Sequence, residues 1–344
     1  PSLLRHPGGF LGRLPHSLAL PPRRWVGHHF PWQLLQLCTH GQKQRAVGNI
    51  RQTSLINETI KTNIIMIELN TNYHTHSTYC DGKEPLPAFV TAAEKLYYTQ
   101  LGFSSHAPVS FENDFGIKEE DIGNYCDEID ALQQQTPMLL LKSLECDFIP
   151  GYSKSFDTFR NEYNLDYIIG GVHLVLPEHR DGIWFIDGSK REIYDDGLAH
   201  LFDHDIRRAV TRFWEQTFEM IETEHFEIIA HFDKIKMHNQ HRFFEDGEKW
   251  YQVLADKALQ LIKRHDLIVE INTRGLYKKR CDAFYSSTTL LKKARKLDIP
   301  VIISSDAHKS EDLGQFCPEA RDELIRCGYD HLAVFDSVTR QFQY

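Results

Sequence analysis

The chain has 344 residues, 41% of them hydrophobic and 25% charged, which is the balance of an ordinary globular protein in water. Its apolar runs, such as residues 300–303, are far too short to cross a bilayer, so we expect no membrane partner. The seven cysteines are scattered without a Cys-x-x-Cys pair, which argues against a disulfide framework and favours reduced thiols in a cytoplasmic location.

The formal net charge of −9 is distributed unevenly along the chain. Residues 1–57 contain no Asp or Glu but seven basic residues, so the remainder is more acidic than the net charge suggests. An acidic body repels the phosphates of nucleic acids, which disfavours nucleic acid as a partner. Bound divalent cations would offset part of this negative charge.

Residues 1–65 combine Pro, Gly, Arg and His without steady periodicity, and Met66 stands directly before the first regular pattern. We therefore predict that residues 1–65 are an N-terminal extension outside the functional domain, and that residues 66–344 form that domain. An acid-free segment with arginines is also typical of an organelle transit peptide, which is the alternative interpretation.

From Met66 onward, short apolar runs alternate with longer amphipathic stretches. This alternation predicts an α/β fold with parallel strands, and the nearly continuous apolar runs indicate strands buried on both faces. Seven strand–helix units favour a closed or nearly closed barrel over an open sheet. A long loop is predicted over residues 174–204. The predicted helices cover residues 86–98, 118–135, 156–163, 206–224, 248–263 and 288–297, and a last helix follows Pro318.

His74 and His76 follow the first predicted strand, over residues 67–71, and Asp81 lies on the turn beyond them. Residues two apart in a strand point to the same face, so the two imidazoles project side by side. Two imidazoles and a nearby carboxylate suit a divalent metal ion.

The later predicted strands also end at residues of types that bind metals. The carboxyl ends of barrel strands share one face, where barrel enzymes carry their sites, so these residues converge in space. Each one alone is more often a hydrogen-bonded structural side chain, but coincidence would not repeat at nearly every strand end. The candidate metal ligands are His74, His76, Asp81, His106, Glu145, His173, His231, Asp306 and His308.

This set is larger than the three protein ligands of a lone catalytic zinc, so we predict two or three divalent ions with one bridging carboxylate. Glu145 and Asp306 are the candidate bridges. Clustered divalent ions activate water and clamp phosphoryl oxygens, which indicates phosphoester hydrolysis. We interpret Cys80 and Cys146, which adjoin ligand positions, as packing residues. The sequence has no Walker A loop, no dinucleotide-binding glycine motif and no Gly-x-Ser-x-Gly nucleophile elbow.

These motifs, in this order, resemble the PHP (polymerase and histidinol phosphatase) superfamily, and within it the histidinol-phosphate phosphatases. The resemblance covers roughly residues 70–344. It rests on His-Thr-His at 74–76, Cys-Asp-Gly at 80–82, Ser-Ser-His-Ala-Pro at 104–108, Leu-Glu at 144–145, Ile-Ile-Gly-Gly-Val-His at 168–173, Ala-His-Phe-Asp at 230–233, Ile-Asn-Thr-Arg-Gly-Leu at 271–276 and Ser-Ser-Asp-Ala-His at 304–308.

The resemblance implies a distorted (β/α)7 TIM-like barrel with a trinuclear site of Zn, Mn or Fe at the carboxyl ends of its strands. Asp81 departs from family members that carry His at that position. This difference favours Mn or Fe there, or incomplete occupancy of the third ion. The implied ligands are His74, His76, Glu145 and Asp306 for the first ion, Glu145, His173 and His231 for the second, and Asp81, His106 and His308 for the third.

The resemblance also implies the reaction, which is attack of a metal-bridging hydroxide on a phosphate monoester. The implied substrate is L-histidinol phosphate, which gives L-histidinol and phosphate in histidine biosynthesis. Asp306, His308 and Glu145 are the expected catalytic residues.

Arg274 and Lys236 are the expected phosphate-binding residues, with Arg180 and Arg191 as weaker candidates. The 174–204 loop, which contains Trp184, Phe185 and Asp187, is expected to act as a lid or to recognise the substrate. An ordinary surface insertion is the alternative.

Two other functions stay open from the sequence. The chain could be a phosphoesterase of the same superfamily that acts on another small phosphate ester, such as a sugar or nucleotide phosphate. It could also be a non-catalytic regulator that binds metal and a phosphorylated ligand, although its full set of ligands argues against that function. The sequence does not indicate an oligomeric state.

Overall fold

Seven parallel strands form one sheet in the computed structural model, which describes residues 67–179, 181–188 and 190–344. The predictions for residues 1–65 and for Arg180 lie outside the described residues. The strands are β1 (Thr71–Asn72), β2 (Gln100–His106), β3 (Leu139–Asp147), β4 (Tyr167–Gly171), β5 (Leu174–Val175), β6 (Trp184–Phe185), β7 (Ile228–Ile229), β8 (Ile268–Asn272), β9 (Val301–Ser304), β10 (Val334–Asp336) and β11 (Gln341–Gln343).

The helices lie mainly in the connections between the strands of this sheet. Short 3-10 turns are also found at Glu119–Asp121, Lys234–Lys236 and Ser310–Asp312. The helices are α1 (Leu86–Lys95), α2 (Ile122–Gln133), α3 (Phe156–Tyr163), α4 (Arg191–Phe202), α5 (Ile206–Thr223), α6 (Lys249–Arg264), α7 (Arg274–Tyr277), α8 (Thr288–Lys296) and α9 (Cys317–Cys327).

The large sheet has the strand order β1-β2-β3-β4-β7-β8-β9, and every neighbouring pair in it is parallel. Its two edge strands meet just beyond their ends, where a parallel bridge joins Thr75 to Ala307. The backbone N–H of His76 donates to the carbonyl oxygen of Ala307 at 2.8 Å. The Asn72 side chain adds a further link, because its Oδ1 accepts from the backbone N–H of Ser305 at 2.8 Å. The sheet is therefore a nearly closed barrel, and the predicted distorted (β/α)7 TIM-like fold is confirmed.

Apolar side chains on both faces of the strands account for the nearly continuous hydrophobic runs. One face points into the barrel, where Leu141, Ile169 and Ile228 belong to one buried cluster. The other face points to the helices, where Leu140 and Leu144 belong to a second and larger cluster. Burial on both faces fixes the register of the strands and thus the direction of the side chains at their ends.

The chain ends in an antiparallel hairpin, β10–β11, which was not predicted and which packs against the interior cluster of the barrel. The Phe335 carbonyl oxygen accepts from the Gln100 side chain at 2.9 Å, and its N–H donates to the Tyr73 hydroxyl at 3.1 Å. An ion pair of 2.9 Å also joins Arg340 to Asp166. Because Gln100 begins β2 and Asp166 precedes β4, the hairpin covers the amino ends of the strands.

The segment 174–204 is not the long loop that the sequence predicts. It contains the β5–β6 hairpin and the helix α4. The apolar residues Tyr194 and Leu198 of α4 are buried, and Trp184 packs beside Tyr194. Gly197 lowers the helix propensity of this segment, which makes the helix hard to recognise in the sequence. A Cβ at that position would lie 2.3 Å from the Trp184 ring, so the glycine permits close packing.

The first strand is also shorter than predicted, since β1 holds only two residues and His74 and His76 follow it. No helix in the described part of the chain is both long enough and apolar enough to cross a membrane.

Candidate metal centre

The structure brings all nine predicted ligands together at the carboxyl ends of the barrel strands. His106 is the last residue of β2, and Glu145 lies two residues before the end of β3. His173, His231 and Asp306 each lie two residues beyond the end of β4, β7 and β9, respectively. Their common distance from the strand ends explains why side chains far apart in sequence converge at one face of the barrel.

The side chains form three groups, and within each group the potential ligand atoms lie within 4.8 Å of one another. These groups resemble the three ligand sets that the family resemblance implies, with His76 shared between two of them. The groups are His74 with His76 and Asp306, then Glu145 with His173 and His231, and then His76 with Asp81, His106 and His308.

Three buried atoms of this cluster form no hydrogen bond of good geometry, although each lies 3.0–3.3 Å from a charged or titratable neighbour. These atoms are Nε2 of His74, Nε2 of His76 and Oδ1 of Asp81. Leaving such atoms unpaired costs about 1–3 kcal/mol each, so a buried cluster of them requires an explanation. Imidazole nitrogens and carboxylate oxygens are ligands that suit Zn, Mn and Fe. The residues present therefore fit divalent ions.

A buried carboxylate that the sequence analysis missed orients two of the histidines. Oε1 of Glu270 lies 2.6 Å from Nδ1 of His74, and its Oε2 accepts from the backbone N–H of His231 at 2.9 Å. With the proton on Nδ1, the Nε2 lone pair of His74 faces the cluster, as a metal ligand requires. A charged residue in the apolar strand run 268–271 was the sequence signal for this role.

Asn272 and Asp147 support the cluster in a similar way. The Asn272 amide donates to Glu270 at 3.0 Å and to Asp306 at 3.3 Å. Oδ1 of Asp147 accepts from the backbone N–H of His173 at 2.9 Å. Cys80, interpreted as a packing residue, has its Sγ 3.5 Å from Nδ1 of His76, the ring nitrogen that faces away from the cluster.

The electrostatic environment gives the histidines of the cluster different pKa values. Burial opposes protonation of His74, but Glu145 and the other neighbouring carboxylates outweigh it and hold the pKa of that imidazole well above its usual range. Burial and the neighbouring His76 lower the pKa of His106 to about 3. Burial, His76 and Arg274 lower the pKa of His308 to about 4. Burial opposes ionisation of Asp306, but Arg274, His74 and other neighbouring cations outweigh it and hold the pKa of that carboxyl well below its usual range. Neutral imidazoles and ionised carboxylates are the forms that ligate metals, so an ion bound at His74 would displace a proton from it.

Two of the candidate ligands have an uncommon backbone conformation. Asp306 has φ of 49° and His231 has φ of 21°, both in the positive range that residues other than glycine rarely adopt. Such conformations concentrate at functional sites, where the surrounding structure maintains them for the geometry they provide.

Of the two predicted phosphate-binding residues, the structure places Arg274 at the cluster and Lys236 elsewhere. Arg274 Nη1 lies 2.7 Å from Nδ1 of His308 and donates to the Asp306 carbonyl oxygen, also at 2.7 Å. The Lys236 ammonium is buried and pairs with Asp233 at 2.7 Å, and it does not border the cavity above the cluster. Lys236 is the last residue of a short 3-10 turn that begins at Lys234, and side chains two residues apart on such a turn point in different directions.

Lys234, on the same turn, is the lysine that borders the cavity, and its Nζ lies 2.5 Å from Oδ2 of Asp187. The cavity has a volume of about 580 Å³. Of the three predicted lid residues, Phe185 and Asp187 line it, whereas Trp184 is fully buried against α4. Arg191, the weaker candidate, does not line it and lies 3.4 Å from the Gln240 side chain.

Comparisons with known proteins agree with this geometry. The family model of the PHP domain matches residues 72–274. A protein of Deinococcus radiodurans described as a probable histidinol-phosphatase is 25% identical over 260 residues, which cover 74% of this chain and 92% of the relative. The histidinol-phosphatase of Bacillus subtilis is 22% identical over 265 residues, covering 70% and 94% of the two chains. The histidinol phosphate phosphatase of Lactococcus lactis, solved with zinc, L-histidinol and phosphate, has the same fold, with a TM-score of 0.56, 19% identity and coverage of 80% and 99%.

Proposed function

Because the chain belongs to the PHP domain family, we propose that it is a phosphoric monoester hydrolase that converts L-histidinol phosphate to L-histidinol and phosphate. Relatives named as histidinol-phosphatases, matched over more than nine-tenths of their own length, support this substrate. So does the related fold that was solved with L-histidinol and phosphate. The reaction would belong to histidine biosynthesis, and a cytoplasmic location stays a prediction.

The observation that carries the proposal is the convergence of nine candidate ligands, three of whose buried atoms form no hydrogen bond of good geometry. Glu145 and Asp306 would join His74 and His76 around one ion, and Glu145 would join His173 and His231 around a second. Asp81, His106 and His308 would hold a third, and the carboxylate of Asp81 favours Mn or Fe there. When bound, such ions lower the pKa of water and neutralise phosphate oxygens.

Arg274 and Lys234 are the proposed phosphate-binding residues, and Lys234 replaces Lys236 in that role. Both cations are nearly removed from water, so their attraction for a phosphate is stronger than that of a surface cation. Arg274 presents a planar fork of donors beside His308, which suits the oxygens of a phosphate. Asp187 holds the Lys234 ammonium in place, so this charge is positioned before the substrate arrives.

Glu145, Asp306 and His308 remain the proposed catalytic residues because each belongs to a group that would hold an ion. The pKa of Glu145 is held well below its usual range, since His74 and the other histidines outweigh the opposing effect of burial. Neither Glu145 nor Asp306 therefore stores a proton for the leaving alkoxide near neutral pH, and we assign both to charge stabilisation.

The direct test is release of phosphate from L-histidinol phosphate by the purified protein supplied with Mn, Zn or Fe. The same assay includes a sugar phosphate and a nucleoside monophosphate, because a PHP enzyme for another small ester is the nearest alternative. We expect the highest kcat/KM for L-histidinol phosphate. A higher value for another ester would assign the chain to that substrate instead.

A non-catalytic regulator is the alternative from a different class of protein. Asp306→Ala separates it from an enzyme, because removal of this carboxylate should abolish turnover. If phosphate release is unchanged in Asp306→Ala, the metal-site residues do not carry the reaction.

A further inference from the structure

The cavity above the metal-site residues has two chemically different sides. One side is built around His308. The Lys83 backbone N–H donates to the His308 carbonyl oxygen at 2.7 Å, and Arg274 contacts the His308 ring. Lys309 is the next residue in the sequence. The side chains of these three cations line the cavity. We call this the cationic side, and its charge suits the phosphate group.

Two phenyl rings line the other side, which we call the aromatic side, and the Lys234–Asp187 ion pair borders it near His173. The rings of Phe115 and Phe185 line the cavity with centroids 6.3 Å apart and planes inclined at 36°. Phe115 packs edge-on against His106 at 6.0 Å, and Phe185 pairs with Leu174, the residue after His173. The aromatic side therefore adjoins His106 and His173, whereas the cationic side adjoins His308.

Neither ring is part of the buried core, and both are only partly buried. An aromatic ring that borders an open cavity exposes apolar surface that an apolar or aromatic ligand group can cover. Two such rings, supplied by separate segments and facing the same space, fit a planar group better than an aliphatic one.

Local structure holds both rings in place. The Asn113 side chain accepts from the backbone N–H groups of Phe115 at 3.2 Å and Gly116 at 2.8 Å. The Ile117 N–H donates to the His106 carbonyl oxygen at 2.9 Å, which ties this turn to the end of β2. Phe185 is fixed by the β5–β6 hairpin. A subsite that is ordered before binding loses less entropy when its ligand binds.

We propose that Phe115 and Phe185 form a leaving-group subsite that selects phosphate esters carrying a planar aromatic ring, with the phosphate on the cationic side. The inference rests on the proposed phosphatase function and adds to it the basis of selection among esters. With the phosphate beside Arg274 and His308, a leaving group that extends toward His106 and His173 would meet the two rings. In L-histidinol phosphate the imidazole would occupy this subsite.

The test compares L-histidinol phosphate with L-alaninol phosphate, the same amino-alcohol ester without the imidazole. The variants are Phe115→Leu, Phe185→Leu and the double variant, because leucine keeps apolar volume but removes the ring. Phe111→Leu is the matched control, since Phe111 lies in the same segment but packs against Tyr152 and does not line the cavity. Each protein is checked by thermal unfolding and metal content before assay.

We expect each single variant to lower kcat/KM for L-histidinol phosphate by about 10-fold, which corresponds to a stacking contribution of about 1.4 kcal/mol. The value for L-alaninol phosphate should change by less than about 3-fold, and Phe111→Leu should change neither. An equal loss on both esters, or no loss on either, would overturn the subsite while leaving the phosphatase function intact. If the wild-type protein does not hydrolyse L-histidinol phosphate, the proposed function itself fails, and the inference fails with it.

Discussion

Glu145 connects the three groups of candidate ligands through its two carboxylate oxygens. Oε1 lies 3.1 Å from His231 and 3.4 Å from His173. Oε2 lies 3.1 Å from His74, 3.3 Å from His76 and 3.1 Å from His106. Because the Glu145 carboxylate lies within 3.4 Å of five imidazoles, it is well placed to bridge two ions.

The residue-scale prediction for Glu145 follows from that position. Glu145→Gln keeps the shape of the side chain but removes its charge, so at least one ion should be lost and activity should fall by more than about 100-fold. Metal analysis and phosphate release on the same sample measure both effects. Glu222→Gln, an exposed residue of α5, is the control. Full metal content and full activity in Glu145→Gln would contradict the bridging role.

Glu270 is not one of the nine candidate ligands, yet it orients His74 and His231. Glu270→Gln should lower metal affinity or activity by about 10- to 100-fold, the usual effect of losing a carboxylate behind a ligating histidine. Titration of the metal-free variant with Zn or Mn measures the change in affinity. Unchanged affinity would show that the fold alone orients His74.

Lys234 and Lys236 provide a matched pair, because both ammonium groups are buried but only Lys234 borders the cavity. Lys236→Met leaves the Asp233 charge buried without its partner, so unfolding free energy should fall by about 3–5 kcal/mol while kcat/KM of the folded protein stays near wild type. Lys234→Met should instead lower kcat/KM by about 100-fold. Urea unfolding and steady-state kinetics distinguish the two. The reverse pattern would restore the original prediction for Lys236.

At the scale of elements, substitutions in the C-terminal hairpin β10–β11 should change the stability of the barrel without changing catalysis. Phe335 is 3% exposed and packs under the barrel, on the side opposite the metal-site residues. Phe335→Ala should cost about 3–5 kcal/mol of unfolding free energy and leave kcat/KM of the folded protein unchanged. Val338→Ala, in the exposed turn of the same hairpin, should change neither. A large loss of kcat/KM in folded Phe335→Ala would link the two ends of the barrel.

The elements that the sequence predicts well are those whose local pattern agrees with their environment. Strands such as β4 and β9 are apolar because both of their faces are buried, so they were found from sequence. The helix α4 was missed because Gly197 weakens its pattern and because Trp184, against which it packs, lies outside the helix on β6. The hairpin β10–β11 was missed because its stability depends on contacts with Tyr73 and the barrel interior.

The sequence likewise predicts only part of the candidate metal centre. The nine ligands were predictable because barrel topology brings strand ends together whatever the loops do. The role of Glu270 and the choice of Lys234 over Lys236 were not predictable, because both depend on the direction of a side chain. A shift of two residues along a short 3-10 turn determines which lysine borders the cavity.

At the scale of the whole molecule, an acidic chain with a net charge of −9 presents buried carboxylates and histidines at one end of a barrel. Such a cluster is costly to bury unless cations compensate its charge. Metal binding and the stability of the barrel mouth should therefore be linked, since an ion that binds the folded state stabilises it.

Removal and restoration of the metal, with phosphate release from L-histidinol phosphate as the readout, tests the central claim most directly. The chelator-treated protein should be inactive, and activity should return as about two to three Mn, Zn or Fe ions bind per chain. Rapid hydrolysis of L-histidinol phosphate by protein shown to be metal-free would contradict the claim, and so would a fully loaded protein that releases no phosphate from this ester.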